Sequence, residues 1–228
     1  MANIQIVLVE PQVPDNIGLI ARVIKNTGVG SLVLVRPQAL TQKAFEVAKR
    51  ARDVLEKAVI VDTIAAALAE SHFVFATTRR QPSGTFIFDF NESKQFIAAA
   101  ACAKKISIVF GRENFGLTQE ELEQCTNAFY IPARPDFPSY NLAAAVGIVC
   151  YELMSCLQQS YRLPKLALAS RKECEELFSF LEKYLTTRIK KNRVQPSLHT
   201  LRRMFTRACL TKNEAGLLKS LFVDTQKP

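Results

Sequence analysis

Two stretches of the sequence place polar residues directly after an apolar run, where a strand of an open sheet would end. The first is Ile106–Leu117, in which glycines and Glu113 follow the run Ile-Ser-Ile-Val-Phe. The second is Ile131–Ala143, which holds three prolines, Ser139 and Asn141. Ligands of open α/β sheets bind at the carboxyl ends of strands. The two loops therefore predict one shared pocket, lined by groups that hydrogen-bond a ligand.

The common nucleotide and metal motifs do not fit this pocket. The first apolar run, Ile4–Val9, leads into a glycine-free segment instead of G-x-G-x-x-G, and Gly111 and Gly116 match neither that spacing nor a P-loop. NAD, ATP and an ordinary Rossmann-type methyltransferase are therefore disfavoured. No two of the 6 cysteines form C-x-x-C and only 2 histidines are present, so we expect no metal site and interpret the cysteines as buried free thiols in a reducing cytosol.

Short apolar runs alternate with helical patterns up to about residue 157. This alternation predicts an α/β fold, a mostly parallel sheet with helices on both faces. The predicted strands are Ile4–Val9, Leu32–Val35, Val59–Val61, Phe73–Ala76, Ile106–Phe110 and Ala128–Ile131. The predicted helices are Ile17–Thr27, Ala44–Leu55, Ile64–Glu70, Ser93–Ala103, Gln119–Cys125 and Asn141–Gln159. We predict that Thr77–Asn91 is a long loop.

A second region begins in the segment 161–170, so we predict domains at residues 1–160 and 161–228. The smaller one is a basic helical extension with a helix at Arg171–Thr187, a polar linker holding Pro196, and a helical pair at Ser197–Cys209 and Lys212–Phe222. Ser197 and Thr211 are its predicted N-caps.

Net charge is confined to this second region. Residues 1–160 hold 15 Lys and Arg against 15 Asp and Glu, whereas residues 161–228 hold 15 against 6, which accounts for the whole charge of +9. A cluster of one sign attracts phosphate. We therefore predict nucleic-acid binding, and the candidate residues are Arg188, Lys190, Lys191, Arg193, Arg202, Arg203 and Arg207.

The longest apolar helix, Leu142 to Leu157, contains Glu152 and is too short to span a bilayer. Because its faces are nearly all apolar, we interpret it as core plus the interface of a homodimer. With no membrane span and no signal peptide, the expected location is the cytoplasm.

Three blocks of the sequence resemble the SpoU/TrmH-type branch of the SPOUT RNA methyltransferases. They are Asp15–Arg22 with Lys25 and Asn26, Phe110–Glu113 with Gly116 and Leu117, and Ile131–Pro132 with Ser139–Val146. They follow the family's order over about residues 3–157. The run Leu201–Phe205 with Ala208–Thr211 resembles the tail of the TrmJ subgroup, which methylates ribose 2′-hydroxyls in the tRNA anticodon loop, at cytidine or uridine 32.

The resemblance implies a C-terminal trefoil knot, S-adenosylmethionine as cofactor and a homodimer that acts on tRNA. The cofactor residues that it implies are Thr77, Thr78, Arg79, Gly111, Ile131, Pro132, Ser139, Tyr140, Asn141 and Leu142. The catalytic residues that it implies are Arg22, Ser139, Asn16 and Glu113, with Glu113 orienting Arg22 or Asn16.

Simpler roles for these residues stay open, with Asn16 and Ser139 as helix or turn caps and Glu113 with Arg22 as a structural ion pair. Three other functions also stay open: the same chemistry on ribosomal RNA, a non-catalytic RNA-binding relative, and a metabolic α/β enzyme.

Overall fold

A computed structural model describes residues 3–38, 40–79, 87–158 and 167–222. The chain divides into two compact units, Met1–Pro164 and Lys165–Pro228. The predicted boundary between residues 160 and 161 lies outside the described residues.

Within its described residues, the first unit contains seven strands and seven α-helices. The strands are β1 (Ile4–Val9), β2 (Ser31–Val35), β3 (Val59–Val61), β4 (Phe73–Thr77), β5 (Ile87–Asp89), β6 (Ile106–Phe110) and β7 (Asn127–Tyr130). The helices are α1 (Pro14–Thr27), α2 (Gln42–Ala48), α3 (Arg52–Glu56), α4 (Ile64–Leu68), α5 (Phe90–Ala101), α6 (Gln119–Glu123) and α7 (Leu142–Leu157). A 3₁₀ turn, Lys49–Ala51, joins α2 to α3.

The strands form one sheet in the order β3-β2-β1-β6-β4-β7-β5, and every described pair is parallel. Val7 and Val9 of β1 pack with Leu68 and Leu122, which belong to α4 and α6. The alternate residues of β1 point the other way and are buried too. α1 and α5 lie against strands of the sheet and α7 packs against both of them, so these helices cover the opposite face. The prediction of a parallel α/β sheet is confirmed.

The prediction of a loop over Thr77–Asn91 is wrong for its last residues. Ile87–Asp89 is the edge strand β5, and Asp89 then caps α5 by accepting a hydrogen bond from the Asn91 N–H at 2.8 Å. Three residues are too few to show a period of two, so no strand pattern is visible in this segment.

The predicted helix Ala44–Leu55 is interrupted at Lys49, whose φ of 50° and ψ of −117° leave the helical region. The interruption turns the chain so that α2, the 3₁₀ turn and α3 all lie along α1.

The second unit contains α8 (Arg171–Arg188), α9 (Lys191–Ala208) and α10 (Lys212–Leu221). Its core is made of Leu177, Phe178, Leu181, Leu198 and Leu210 with their neighbours. Thr211 caps α10 as predicted, because its hydroxyl accepts a hydrogen bond from the Glu214 N–H at 3.2 Å.

The predicted linker around Pro196 is wrong, because Pro196 lies inside α9, and so the prediction of Ser197 as an N-cap is wrong as well. Proline removes one helical N–H bond. Val194 and Leu198 are buried on either side of it, and their burial offsets the loss.

The prediction of buried free thiols is correct for Cys150 alone, whose pKa burial raises to about 12. Cys102 is exposed and the other four are half-buried. None of the described helices has the length and hydropathy needed to cross a bilayer.

Candidate active site

Three neighbouring strands bring the predicted cofactor loops to one edge of the sheet. β6, β4 and β7 lie side by side and parallel, so their carboxyl ends meet. Thr77 at the end of β4 donates its hydroxyl to the Val109 carbonyl at 3.1 Å, and the Thr78 N–H donates to the Phe129 carbonyl at 3.0 Å. The loops that begin at Thr77, Gly111 and Ile131 therefore border a common space.

The loop after β7 is closed on itself. The Tyr140 hydroxyl donates to the Pro132 carbonyl at 2.9 Å and ties the loop's end to its start. Between them Arg134 and Phe137 form a tight turn. Ser139 is exposed, and its hydroxyl makes no hydrogen bond to any residue that the structure describes. The loop therefore holds Ser139 in place while its hydroxyl stays available to a ligand.

A chain of hydrogen bonds joins the first sequence block to the other two, whose bonded residues lie 97 and 125 positions further along the chain. Asn16 donates from Nδ2 to Glu113 Oε1 at 2.9 Å and accepts at Oδ1 from Asn141 Nδ2, also at 2.9 Å. Asn141 in turn caps α7 by accepting from the Ala143 N–H at 2.9 Å. The start of α1, the loop after β6 and the start of α7 are thereby fixed to one another.

Glu113 is the centre of this chain. Its carboxylate also accepts from the backbone N–H groups of Gln12 at 2.9 Å and Val13 at 3.1 Å. Burial by itself raises the pKa of Glu113, but the hydrogen bonds from Asn16 and these backbone groups outweigh it, so the pKa lies below its ordinary value. Glu113 is thus a fixed anion that orients the segment leading into α1.

Arg22 lies apart from this chain. It is exposed on α1, and within the described ranges it makes no hydrogen bond or ion pair. Glu113 contacts Asn16 and not Arg22, so the structural ion pair considered for Glu113 and Arg22 does not form. Asn16 is buried inside α1, whose N-cap position is Val13, so Asn16 is not a cap.

Sequence reasoning missed Arg112, the most buried arginine at the site. Its side chain is 6% exposed and lies between two carboxylates, with Nε 2.7 Å from Glu10 Oε2 and Nη1 2.9 Å from Glu121 Oε2. Hydrogen bonds to Glu121, and then to Glu10, raise its pKa despite the burial. Glu10 and Arg112 follow the adjacent strands β1 and β6. The pattern in the sequence that could have identified Arg112 is a pair of opposite charges placed directly after two apolar runs.

Gly111 is required by the protein's own backbone. A side chain there would collide with the backbone of Gly116 and Leu117, where the loop after β6 folds back on its start. The reason for this glycine is therefore the close crossing of two chain segments. No cluster of three or more His, Cys, Asp or Glu side chains in the described part of the chain could hold a metal ion.

The seven basic candidates of the second unit differ in their surroundings. Arg202 Nη1 lies 2.7 Å from Glu175 Oε2, and its guanidinium lies 4.5 Å from the Phe178 ring centre. Arg188 lies over the Tyr184 ring at 5.4 Å. The other five are exposed and pair with no acidic residue of the described segments; they are Lys190, Lys191, Arg193, Arg203 and Arg207.

A family model described as the SpoU rRNA Methylase family matches residues 3–151, which include every element of this edge of the sheet. The chain belongs to this family. An Escherichia coli (strain K12) protein named tRNA (cytidine/uridine-2′-O-)-methyltransferase TrmJ is 34% identical over 239 residues, covering 100% of this chain and 96% of its own.

Other members extend the likeness over the full length. An uncharacterized tRNA/rRNA methyltransferase of Haemophilus influenzae is 33% identical over 236 residues, covering 100% of this chain and 96% of its own. The crystal structure of TrmJ from Z. mobilis ZM4 is 28% identical with a TM-score of 0.80, and 96% of each chain is covered. The chain is therefore a methyltransferase of the SpoU family with full-length similarity to TrmJ proteins.

Proposed function

We propose that this protein transfers a methyl group from S-adenosylmethionine to a ribose 2′-hydroxyl of tRNA, in the anticodon loop at cytidine or uridine 32. Family membership and full-length similarity to TrmJ proteins support the reaction and the tRNA substrate. The observation that carries the proposal is the hydrogen-bonded chain Glu113–Asn16–Asn141, which unites the three family blocks at one edge of the sheet. Such an activity belongs in the cytoplasm.

The loops after β4, β6 and β7 fit the proposed cofactor. They offer backbone polar groups at three adjacent strand ends, beside the half-buried Ile131 and the buried Leu142. Backbone groups of this kind bind the edges of adenine, and apolar side chains pack on its faces. S-adenosylmethionine would supply the methyl group on a sulfonium, a reaction that needs alignment more than acid–base strength.

Arg22 and Ser139 are the proposed groups at the ribose. Arginine keeps its proton in proteins, so Arg22 serves as a fixed cation and not as a base. It binds the neighbouring phosphate and stabilises the negative charge that develops on the 2′-oxygen during attack. The free hydroxyl of Ser139 hydrogen-bonds the 2′-hydroxyl or the cofactor. Asn16, Glu113 and Asn141 fix the elements that carry both groups.

The exposed arginines of α9 are the proposed contacts to tRNA phosphates. Arg193 and Arg207 are about four helical turns apart, and Arg203 lies one turn before Arg207, so the three share one face. Val194 and Leu198 occupy the opposite, buried face. The stripe therefore presents to a polyanion three cations that pair with no acidic residue of the described segments.

We further propose a homodimer that covers part of α7, and a trefoil knot in the last third of the first unit. Tyr151 of α7 is 60% exposed and Leu19 of α1, the helix packed against α7, is 40% exposed. Large apolar groups on two packed helices suit an interface between copies. Sedimentation of an active protein as a monomer at working concentration would contradict the dimer.

The direct test incubates the full-length protein with bulk tRNA and with ribosomal RNA, each with labelled S-adenosylmethionine, and then maps ribose methylation. Methyl groups at ribose 32 of tRNA are expected. Labelling of ribosomal RNA alone would replace the tRNA assignment. Labelling of neither RNA by a protein that binds tRNA would favour a non-catalytic relative.

A further inference from the structure

Four residues lie on the face of α1 that packs against the segment α2–α3. Three of them have a partner there, either in an ion pair or in a close packing contact. α1 packs along α2, the 3₁₀ turn and α3, in the same direction. The three matched positions, in order along α1, are Asp15 with Lys43 at 3.9 Å, Gly18 in close contact with Ala44, and Lys25 with Asp53 at 2.6 Å. Each position is thus filled by an ion pair or by tight packing.

Arg22 occupies the fourth position. It lies four residues after Gly18 and three before Lys25, and residues at these spacings share one face of a helix. The order of the matched pairs sets Arg22 opposite the 3₁₀ turn, where Lys49 and Arg50 are exposed. None of these three cations forms an ion pair with the residues described. Like charges repel, so this stretch of the contact is left with positive charge that nothing in the described fold neutralises.

The backbone at Lys49 is a second, independent observation. Its φ of 50° with ψ of −117° is a conformation that residues other than glycine rarely adopt. Such conformations cluster where a site for a ligand requires them. Here the irregular backbone ends α2 and turns Lys49 and Arg50 along α1, at the level of Arg22.

We propose that Arg22, Lys49 and Arg50 form a binding site for a backbone phosphodiester of the RNA, adjacent to the nucleotide that is methylated. The proposal rests on the function proposed above, since Arg22 is the group assigned to the ribose. Phosphate oxygens accept charge-assisted hydrogen bonds from both arginine and lysine. Contacts to phosphate fix the register of a nucleic acid without reading its sequence. The site would therefore hold the target ribose at the correct distance, while α9 binds the rest of the tRNA.

The test compares two full-length double variants that remove equal charge. Lys49→Gln with Arg50→Gln removes the proposed contacts. Lys104→Gln with Lys105→Gln is the control, because these residues precede β6 and lie at the opposite end of the strands from the cofactor loops. Tryptophan is absent from the chain, so binding is followed with fluorescently labelled tRNA over a range of salt concentrations.

Because the three cations share one phosphodiester, loss of its neutralisation should reduce the slope of log affinity against log salt by up to about 0.7–0.9 in the first variant. The control should keep the wild-type slope, and both variants should bind S-adenosylmethionine like wild type. Equal slopes for the two variants would overturn the proposal. So would dissociation of a dimer by the first variant alone in sedimentation, since the surface would then be a contact between copies. The slopes measure tRNA binding, so they can be determined even if the wild-type protein methylates no tRNA. Failure of the proposed phosphate site is therefore distinguishable from failure of the proposed methyltransferase function.

Discussion

The site around Arg112 in the first unit and the exposed face of α9 in the second use arginine in opposite ways. In the first unit Arg112 is nearly inaccessible and lies between Glu10 and Glu121, where it fastens the loop after β6 to the end of β1 and to α6. In the second unit Arg193, Arg203 and Arg207 are exposed and unpaired within the described residues. The same side chain serves as an internal tie in one place and as a free charge in the other. Burial and the nearest carboxylate decide which of the two it becomes.

Arg22 tests this comparison most severely, because it lies in the same unit as Arg112 but is exposed and, among the described residues, unpaired. Arg22→Ala should lower kcat by about 10²–10³ or more, the effect of removing a group that stabilises an oxyanion, with little change in cofactor affinity. Single-turnover methylation and calorimetry measure the two quantities. Lys25→Ala, one turn later on α1, is the matched control and should keep its activity. Wild-type kcat in Arg22→Ala would refute the assigned role.

Removal of the buried tie should cost far more stability than removal of a surface pair. Arg112→Met leaves Glu121 without its cation and Glu10 with Arg36 alone, and should lower the free energy of unfolding by about 3–5 kcal/mol. Arg202→Met loses a half-exposed pair with Glu175 and should cost about 1 kcal/mol or less. Urea unfolding of the full-length protein gives both values. Comparable losses of unfolding free energy in the two variants would show that the burial of Arg112 does not make its ion pairs more stabilising than a surface pair.

The free charges of the second unit should govern the salt dependence of tRNA binding. Arg203→Gln with Arg207→Gln should reduce the slope of log affinity against log salt by about 1.4–1.8. Lys212→Gln with Lys219→Gln removes equal charge from residues that pair with Glu173 and Glu176, and should change the slope little. If both pairs reduce the slope alike, net charge and not the α9 stripe is responsible.

The smallest expected effect is on acid stability. The folded-state pKa of Glu113 lies below its ordinary value of about 4.5, so the stability it contributes is fully present above that value and is lost as pH falls through the folded pKa. Glu113→Gln should therefore flatten the fall in unfolding free energy as pH drops below about 4.5. An unchanged pH profile in the variant would mean that the hydrogen bonds from Asn16, Gln12 and Val13 do not persist in solution.

Much of the first unit could be predicted because its strands are buried on both faces. All six predicted strands lie within one residue of their observed bounds, since each is a run of apolar residues closed by turn-forming ones. The errors have local causes. β5 is too short for a pattern, and the break at Lys49 depends on packing against α1. Because of Pro196, the start of α9 was predicted as a linker. In the structure the burial of Val194 and Leu198 outweighs the one helical hydrogen bond that the proline removes.

The sequence by itself determined the alternation of strands and helices, the two loops that follow β6 and β7, the confinement of net charge to the last 68 residues, and the blocks that mark the family. These are properties of neighbouring residues, so local patterns reveal them. Only the tertiary structure decided that Glu113 holds Asn16 and not Arg22, that Arg112 is buried between two carboxylates, and that the 3₁₀ turn carrying Lys49 and Arg50 packs against α1. Those facts depend on pairs that lie between about 10 and 130 residues apart, and the order of strands in the sheet, which no local pattern encodes, sets which of them meet.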